Sequence, residues 1–201
     1  MKVGVLASGE GSNLQAIVDR LHGRAGIEVV AVGSDRPQAR ALERARAAGV
    51  PARAFRQADR RARDAAMADW LKAAGVELVV LAGYMQLLDA AFLARFPQRV
   101  INVHPALLPA FPGIGAIEQA LAHGVKVFGV TVHFVDEGID TGPIIAQRAL
   151  ELPDADDPAT VREALRPLEH DLLCETILLI ARGAVVLEDG RCKVRADDAA
   201  G

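Results

Sequence analysis

The chain has 201 residues, 51% of them hydrophobic and 24% charged, with a formal net charge of −3. That length suits one substantial core, at roughly 100 to 200 residues per domain. No apolar run is long enough to cross a bilayer, and a negative net charge excludes the broad basic footprint of a general nucleic-acid binder. Two cysteines, Cys174 and Cys192, are too few for a disulfide framework and lack metal-ligand spacing, so no metal is expected. Residues 1–7 run straight into a glycine loop without the tripartite pattern of a secretory signal, which makes the cytosol the expected compartment.

In chain order, residues 3–7, 27–32 and 78–82 are short continuous apolar runs, the pattern of strands buried on both faces of a parallel sheet. Helical segments lie between them: one starting at Ser12, one over residues 39–48 closed by Gly49, and one over 59–74 closed by Gly75. The arginines between Arg53 and Arg63 fall on the start of that third helix and read as a solvated face. The alternation predicts a doubly wound α/β layer. Beyond Asn102 the sequence reads as a loop, a short helix over 116–123, and two long strands around the turn at 136–143. Asp157-Pro158-Ala159-Thr160 opens a helix that runs to Ile180, with Pro167 near its first turns. Residues 185–194 carry an Asp-Gly hairpin signal, and 196–201 read as a frayed tail.

Two features carry chemistry. Ser8-Gly9-Glu10-Gly11-Ser12-Asn13 follows the first strand and opens a helix, where free backbone N–H groups and the helix dipole suit a phosphate. No Gly-Lys-Ser/Thr follows and the third glycine of a dinucleotide fingerprint is missing, so a single monophosphate fits better than a dinucleotide. The second is Asn102-Val103-His104-Pro105 at the end of an apolar run. Residues two apart on a strand point the same way, so an amide and an imidazole emerge together where Pro105 stops the ladder. The turn Asp136-Glu137-Gly138-Ile139-Asp140-Thr141-Gly142-Pro143 could return a carboxylate to that imidazole, giving the donor, base and anion that acyl transfer to an amine requires. His133, inside a strand between Val132 and Phe134, reads as a hydrogen-bonded packing residue. His22, His123 and His170 lie at or near helix ends or faces, where capping explains them. Leu108-Pro109 is a candidate cis peptide in a tight turn.

These segments, with Leu81-Ala82-Gly83-Tyr84-Met85, Ala106-Leu107-Leu108-Pro109-Ala110-Phe111-Pro112-Gly113 and Gly129-Val130-Thr131-Val132-His133-Phe134-Val135, resemble the folate-dependent phosphoribosylglycinamide formyltransferase family over nearly the whole chain. The resemblance implies an α/β, Rossmann-like, mostly parallel sheet with helices on both faces and an antiparallel C-terminal extension, as one domain over residues 1–195. It implies transfer of the formyl group of 10-formyltetrahydrofolate, without a metal, to the amine of glycinamide ribonucleotide in purine biosynthesis. Asn102, His104 and Asp140 would be catalytic. Gly11, Ser12 and Asn13 would take the substrate phosphate and Glu169, in Leu168-Glu169-His170, the ribose hydroxyls; without the resemblance Glu169 reads as a solvated helix residue. The folate would lie along Met85, Gln86, Leu87 and Leu88, and along Val135, Asp136, Glu137, Gly138, Ile139 and Asp140, with Arg60 at its entrance. Gln86 stands where many relatives have Arg, and Gly115 and Ile117 replace polar or histidine residues of some relatives.

The implied partners are small molecules, not nucleic acid or membrane, and the chain would be a monomer or a weak homodimer. On chemical grounds, amine attack on a formyl carbon creates an oxyanion and an ammonium, so a fixed donor (Asn102) and a proton carrier (His104) both lower the barrier. Asp140 would hold His104 in place while nearby water carries the amine proton. Two other functions remain open: a hydrolase releasing formate from the same folate, which needs no acceptor phosphate pocket, and a non-catalytic nucleotide- or folate-binding module, which needs no catalytic grouping.

Overall fold

The computed structural model describes residues 1–195; the expected tail at 196–201 lies outside them. In chain order the elements are β1 (Lys2–Leu6), α1 (Ser12–Leu21), β2 (Glu28–Ser34), α2 (Arg40–Ala47), β3 (Ala52–Ala54), α3 (Arg60–Ala73), β4 (Leu78–Leu81), α4 (Ala90–Arg95) and β5 (Val100–His104). They continue with α5 (Ala116–Ala122), β6 (Val127–Phe134), β7 (Ile144–Glu151), α6 (Pro158–Ala181), β8 (Val185–Glu188) and β9 (Arg191–Val194). Seven strands form one mostly parallel sheet in the order β3-β2-β1-β4-β5-β6-β7, an α/β, Rossmann-like arrangement, and β8-β9 is a separate two-stranded ribbon. The chain divides into two compact units, the first ending at Asn102 and the second beginning at Val103.

In the first unit β1 pairs in parallel with β2 and with β4, β2 with β3, and β4 with β5. Val3, Val5, Leu6, Val32, Leu78, Val79, Val80 and Ile101 are fully buried, which is why their runs are apolar without alternation. Each such side chain contributes roughly 1.5–3 kcal/mol on leaving water. The order reverses between β1 and β4, and at such a switch point the loops leaving the strands' carboxyl ends diverge and leave a crevice. The loops after β1 and β4 leave from there. Helices α3 and α4 begin on acidic caps: Asp59 accepts from the Ala62 N–H, and Asp89 from the Phe92 N–H. Gly49 and Gly75 follow α2 and α3 with φ of 72° and 74°, the left-handed geometry that ends a helix.

Two elements differ from expectation. β3 is a strand of only three residues, Ala-Arg-Ala, so Arg53 belongs to the sheet, while Arg60, Arg61 and Arg63 lie on the start of α3 as expected. Its pairing to β2 is made by backbone, which composition does not announce. Arg63, read as part of a solvated face, is buried. α4 has six residues, too short for a periodic signal.

In the second unit β6 and β7 are antiparallel neighbours, and α6 packs on both. Asp157 caps α6 by accepting from the Ala159 and Thr160 N–H groups, and Pro158 takes the first turn, where a missing N–H costs nothing. Pro167 lies inside the helix, which runs through it. The ribbon turns at Asp189 and Gly190, both at positive φ as a two-residue hairpin of twisted strands requires. Among the described residues no helix is long and apolar enough to cross a membrane.

Gly11 sets the start of α1 at φ 74°, and a Cβ there would sit 2.8 Å from the Cα of Ala41 on α2. Gly11→Ala is therefore expected to lower the unfolding free energy by about 1–3 kcal/mol. Urea denaturation checks this, and an unchanged midpoint and slope would contradict it.

Candidate active site

The irregular backbone after β1 and β4 is tied together by one hydroxyl. Ser8 N–H donates to the Gly83 carbonyl at 3.0 Å, while its Oγ donates to Asp35 Oδ1 at 2.5 Å and accepts from the Met85 N–H at 2.8 Å. The glycine loop is fixed from the α2 side. Ala41 N–H donates to the Gly9 carbonyl at 3.1 Å, and Glu10 accepts from Arg40 and Arg44 at 2.8 and 2.7 Å. The Arg44 hydrogen bond, with the charges of both arginines, holds the Glu10 carboxyl below its usual range. Gly11 and Asn13 are buried and Ser12 half-buried, and no side chain caps α1. A helix N-terminus in that state presents its first N–H groups to an anion.

Of the expected folate-side residues in this unit, Met85 and Leu87 are about half exposed, Gln86 is exposed and Leu88 is buried. Arg60 reaches the same segment, its Nη2 donating to the Leu88 carbonyl at 2.5 Å.

The second unit holds a tighter constellation. β5 ends at His104, two residues after Asn102, which closes the first unit on the same strand. His104 Nδ1 lies 3.3 Å from Asp140 Oδ2, which also accepts the Gly113 N–H at 2.7 Å. The other ring nitrogen, Nε2, lies 2.8 Å from the Phe111 carbonyl oxygen. A carbonyl only accepts, so Nε2 carries a proton. Asp140 Oδ1 lies 3.5 Å from His133 Nε2, and His133 Nδ1 donates to the Phe134 carbonyl at 2.8 Å. One carboxylate thus sits between two buried imidazoles, each anchored through its far nitrogen to backbone.

Burial pushes the Asp140 carboxyl up, but the His133 hydrogen bond, the Gly113 N–H and the charges of His104 and His133 outweigh it and bring it down to about 2. Asp140 is therefore an anion near neutral pH.

Backbone strain concentrates at the same place. Phe111 and Asp140 both have φ 54°, a region non-glycine side chains avoid at about 1–3 kcal/mol each. The loop that carries Phe111 and Gly113 follows a cis Leu108–Pro109 bond. Thr131 braces it, donating to the Ala106 carbonyl at 2.6 Å and accepting from the Leu108 N–H at 3.1 Å. The turn bearing Asp140 is organised by Asp136, whose Oδ1 accepts from the Gly138 N–H and the Thr141 hydroxyl at 3.1 and 2.7 Å. Asp136 therefore spends one oxygen on its own turn. Val135 is half-buried, Glu137 and Gly138 are exposed, Ile139 is 52% exposed, and Glu169 is half-buried on α6.

His133 is the residue that sequence reasoning placed in packing alone. It is packed and hydrogen-bonded, but it also faces Asp140. His22 closes α1 and its Nδ1 accepts the Val29 N–H at 3.1 Å, and His123 closes α5, whereas His170 lies inside α6 and caps neither end. Neither Cys174 nor Cys192 is in a disulfide. Among the described residues no group of three or more His, Cys, Asp or Glu is placed to hold a metal ion.

A family model described as formyl transferase matches residues 1–177. The chain belongs to the formyl transferase family. The phosphoribosylglycinamide formyltransferase of Bacillus subtilis is 46% identical over 173 residues, covering 84% of this chain and 89% of that protein. The crystal structure of glycinamide ribonucleotide transformylase 1 from Symbiobacterium toebii superposes with a TM-score of 0.93 at 48% identity, covering 97% of this chain and 94% of that one. A formyltetrahydrofolate deformylase from Pseudomonas syringae has a TM-score of 0.89 at 26% identity, covering 96% of this chain but 65% of that one.

The depressed Asp140 carboxyl makes a pH prediction. A group whose folded pKa lies below its unfolded value stabilises the fold above the unfolded pKa and loses that contribution as pH falls through the folded one. A shift from 3.8 to about 2 corresponds to on the order of 2 kcal/mol. Asp140→Asn should thus be less stable than the parent near neutral pH, and the gap should close as pH falls from about 4 to about 2. Denaturant titrations across that window check it; a gap independent of pH would contradict it.

Proposed function

We propose that the chain transfers the formyl group of 10-formyltetrahydrofolate to the amine of 5-phosphoribosylglycinamide, a one-carbon step of de novo purine biosynthesis in the cytosol. The observation that carries this reading is the Asp140 carboxylate held between His104 and His133 at the end of the Asn102-to-His104 strand. The names of its relatives point the same way. Formyl folate and the ribonucleotide are small-molecule substrates, and the chemistry asks for no metal.

The primary amine attacks the formyl carbon, forming a C–N bond and placing a negative charge on the formyl oxygen. Asn102, through its side-chain NH2, donates to that oxygen. The His104 Nε2–H, which lies on the Phe111 carbonyl in this structure, changes acceptor to the same oxygen. Asp140 keeps the ring oriented through Nδ1, so the oxyanion meets two placed donors. The attacking nitrogen, now an ammonium, loses a proton through water near Asp140 to the departing folate nitrogen. The C–N bond to the folate then breaks, leaving tetrahydrofolate and the formamide product. His133 holds the second carboxylate oxygen, so that Asp140 cannot turn away from His104.

Gly11, Ser12 and Asn13 take the substrate phosphate with backbone and side-chain donors, and Glu169 takes the ribose hydroxyls. Met85 and Leu87 offer exposed apolar surface beside the exposed amide of Gln86, with Leu88 buried beneath them, a combination that suits a flat heteroaromatic ring with a hydrogen-bonding edge. Val135, Asp136, Glu137, Gly138, Ile139 and Asp140 supply the same combination, and Arg60 offers a cation for the folate's acidic end.

The reading predicts that formyl folate is consumed only when glycinamide ribonucleotide is present, as followed by absorbance. Turnover indifferent to the acceptor would assign a hydrolase, and none with either would assign a binding module. Asn102→Ala should cost about 10²–10³ in kcat as a lost oxyanion donor, and His104→Asn about 10²–10⁴ as a lost proton carrier. Full activity in either variant would remove that residue from the mechanism.

A further inference from the structure

The segment after β4 has no ladder of its own, yet each of its residues is held. Residues 85–89 run without regular structure between β4 and α4. Ser8 takes the Met85 N–H at 2.8 Å, as described. Beyond Met85 the partners come from α3. Arg63 Nη1 donates to Gln86 Oε1 at 3.2 Å, Arg63 Nη2 to the Leu87 carbonyl at 3.4 Å, and Arg60 Nη2 to the Leu88 carbonyl at 2.5 Å. The Asp89 N–H donates to Asp64 Oδ2 at 2.9 Å.

Arg63 and Asp64 are themselves an ion pair taken out of water. The Asp64 side chain is wholly buried and that of Arg63 is 8% exposed. Arg63 Nε and Nη2 meet Asp64 Oδ1 at 3.0 and 2.9 Å, with Arg60 Nε 3.8 Å from Oδ2. A buried pair of this kind is a weak source of stability, because desolvating two charges offsets most of their attraction. Its chemistry is better explained by what it holds. A guanidinium has five donors in a fixed fork, so Arg63 can satisfy Asp64 with one edge and two acceptors of the next segment with the rest; an ammonium cannot span that set. Met85 and Leu87 stay about half exposed while their backbone is fixed from beneath.

We propose that Arg63 and Asp64 are positioning residues for formyl-folate binding: the pair fixes the backbone and side-chain placement of residues 86–89, so that the surface offered to the folate is formed before the folate arrives. This rests on the folate reading of residues 85–88 given above. Neither residue touches the reacting atoms, and the ribonucleotide subsite at Gly11 to Asn13 does not use them. Gln86 in this arrangement is an acceptor for Arg63.

Two variants test the proposal. Arg63→Lys keeps a charge opposite Asp64 and loses the fork. The double variant Arg63→Met with Asp64→Leu removes both charges together and leaves neither buried without its partner, so with the melting temperature measured it separates positioning from folding. For each, kcat and the two KM values are measured with the full chain, together with the melting temperature and the calorimetric Kd for tetrahydrofolate. Both variants are expected to raise the KM for formyl folate and the Kd for tetrahydrofolate about ten-fold, while kcat at saturating folate and the KM for the ribonucleotide stay as in the parent, the pattern of lost ground-state binding. Unchanged folate KM and Kd would overturn the proposal, as would a fall in kcat with a rise in both KM values that merely follows a lowered melting temperature. A parent protein that does not bind tetrahydrofolate at all would instead overturn the folate reading, and this inference with it.

Discussion

Asp140 is the group on which the second unit turns. Its carboxylate takes the Gly113 N–H from one loop, His104 from the end of β5 and His133 from β6. Two irregular stretches with strained backbone, at Phe111 and at Asp140 itself, meet through these contacts. An anion held by three donors at fixed positions explains why that strain is tolerated: releasing either loop would leave a half-buried charge short of partners. Charge also gives the arrangement its chemical direction. A histidine whose one nitrogen faces a permanent anion and whose other carries a proton is oriented to give that proton to a new negative charge.

The first unit solves a different problem with similar means. Parallel strands end at the switch point between β1 and β4, and the loops that leave them cannot continue the ladder. Backbone groups there still need partners. Side chains supply them: Ser8 for the loop after β4, Arg40 and Arg44 for the glycine loop, and Arg60, Arg63 and Asp64 for residues 86–89. Loops bound in this way are irregular in shape without being loose, which a site assembled from loops requires.

Much of this was legible in the sequence, and the exceptions have physical reasons. β1, β2, β4 and β5 announce themselves because strands covered on both faces are apolar throughout. The Asp-Gly ribbon announces itself because few residues tolerate two successive positive φ values. The Asn-x-His-Pro ending of β5 and the Asp140 turn could be named as one group because the family resemblance spans both. β3 was hidden because three residues of Ala-Arg-Ala hold their place by backbone pairing alone. His133 was half-read. Nearly every residue of β6 is buried, so alternation does not say which side chains face a site, and only the folded turn shows that Asp140 returns to it. Arg63 was misread because its partners lie more than twenty residues away along the chain, where helical periodicity carries no information about them.

The central claim is that Asp140 acts through His104 as one unit, and a double-mutant cycle on kcat/KM measures this most directly. Groups that act as a unit lose their effect together. The account predicts that the protein carrying both His104→Asn and Asp140→Asn falls to about the level of the worse single variant. Losses that multiply, so that each substitution costs the same whether or not the other is present, would show two independent groups and contradict it.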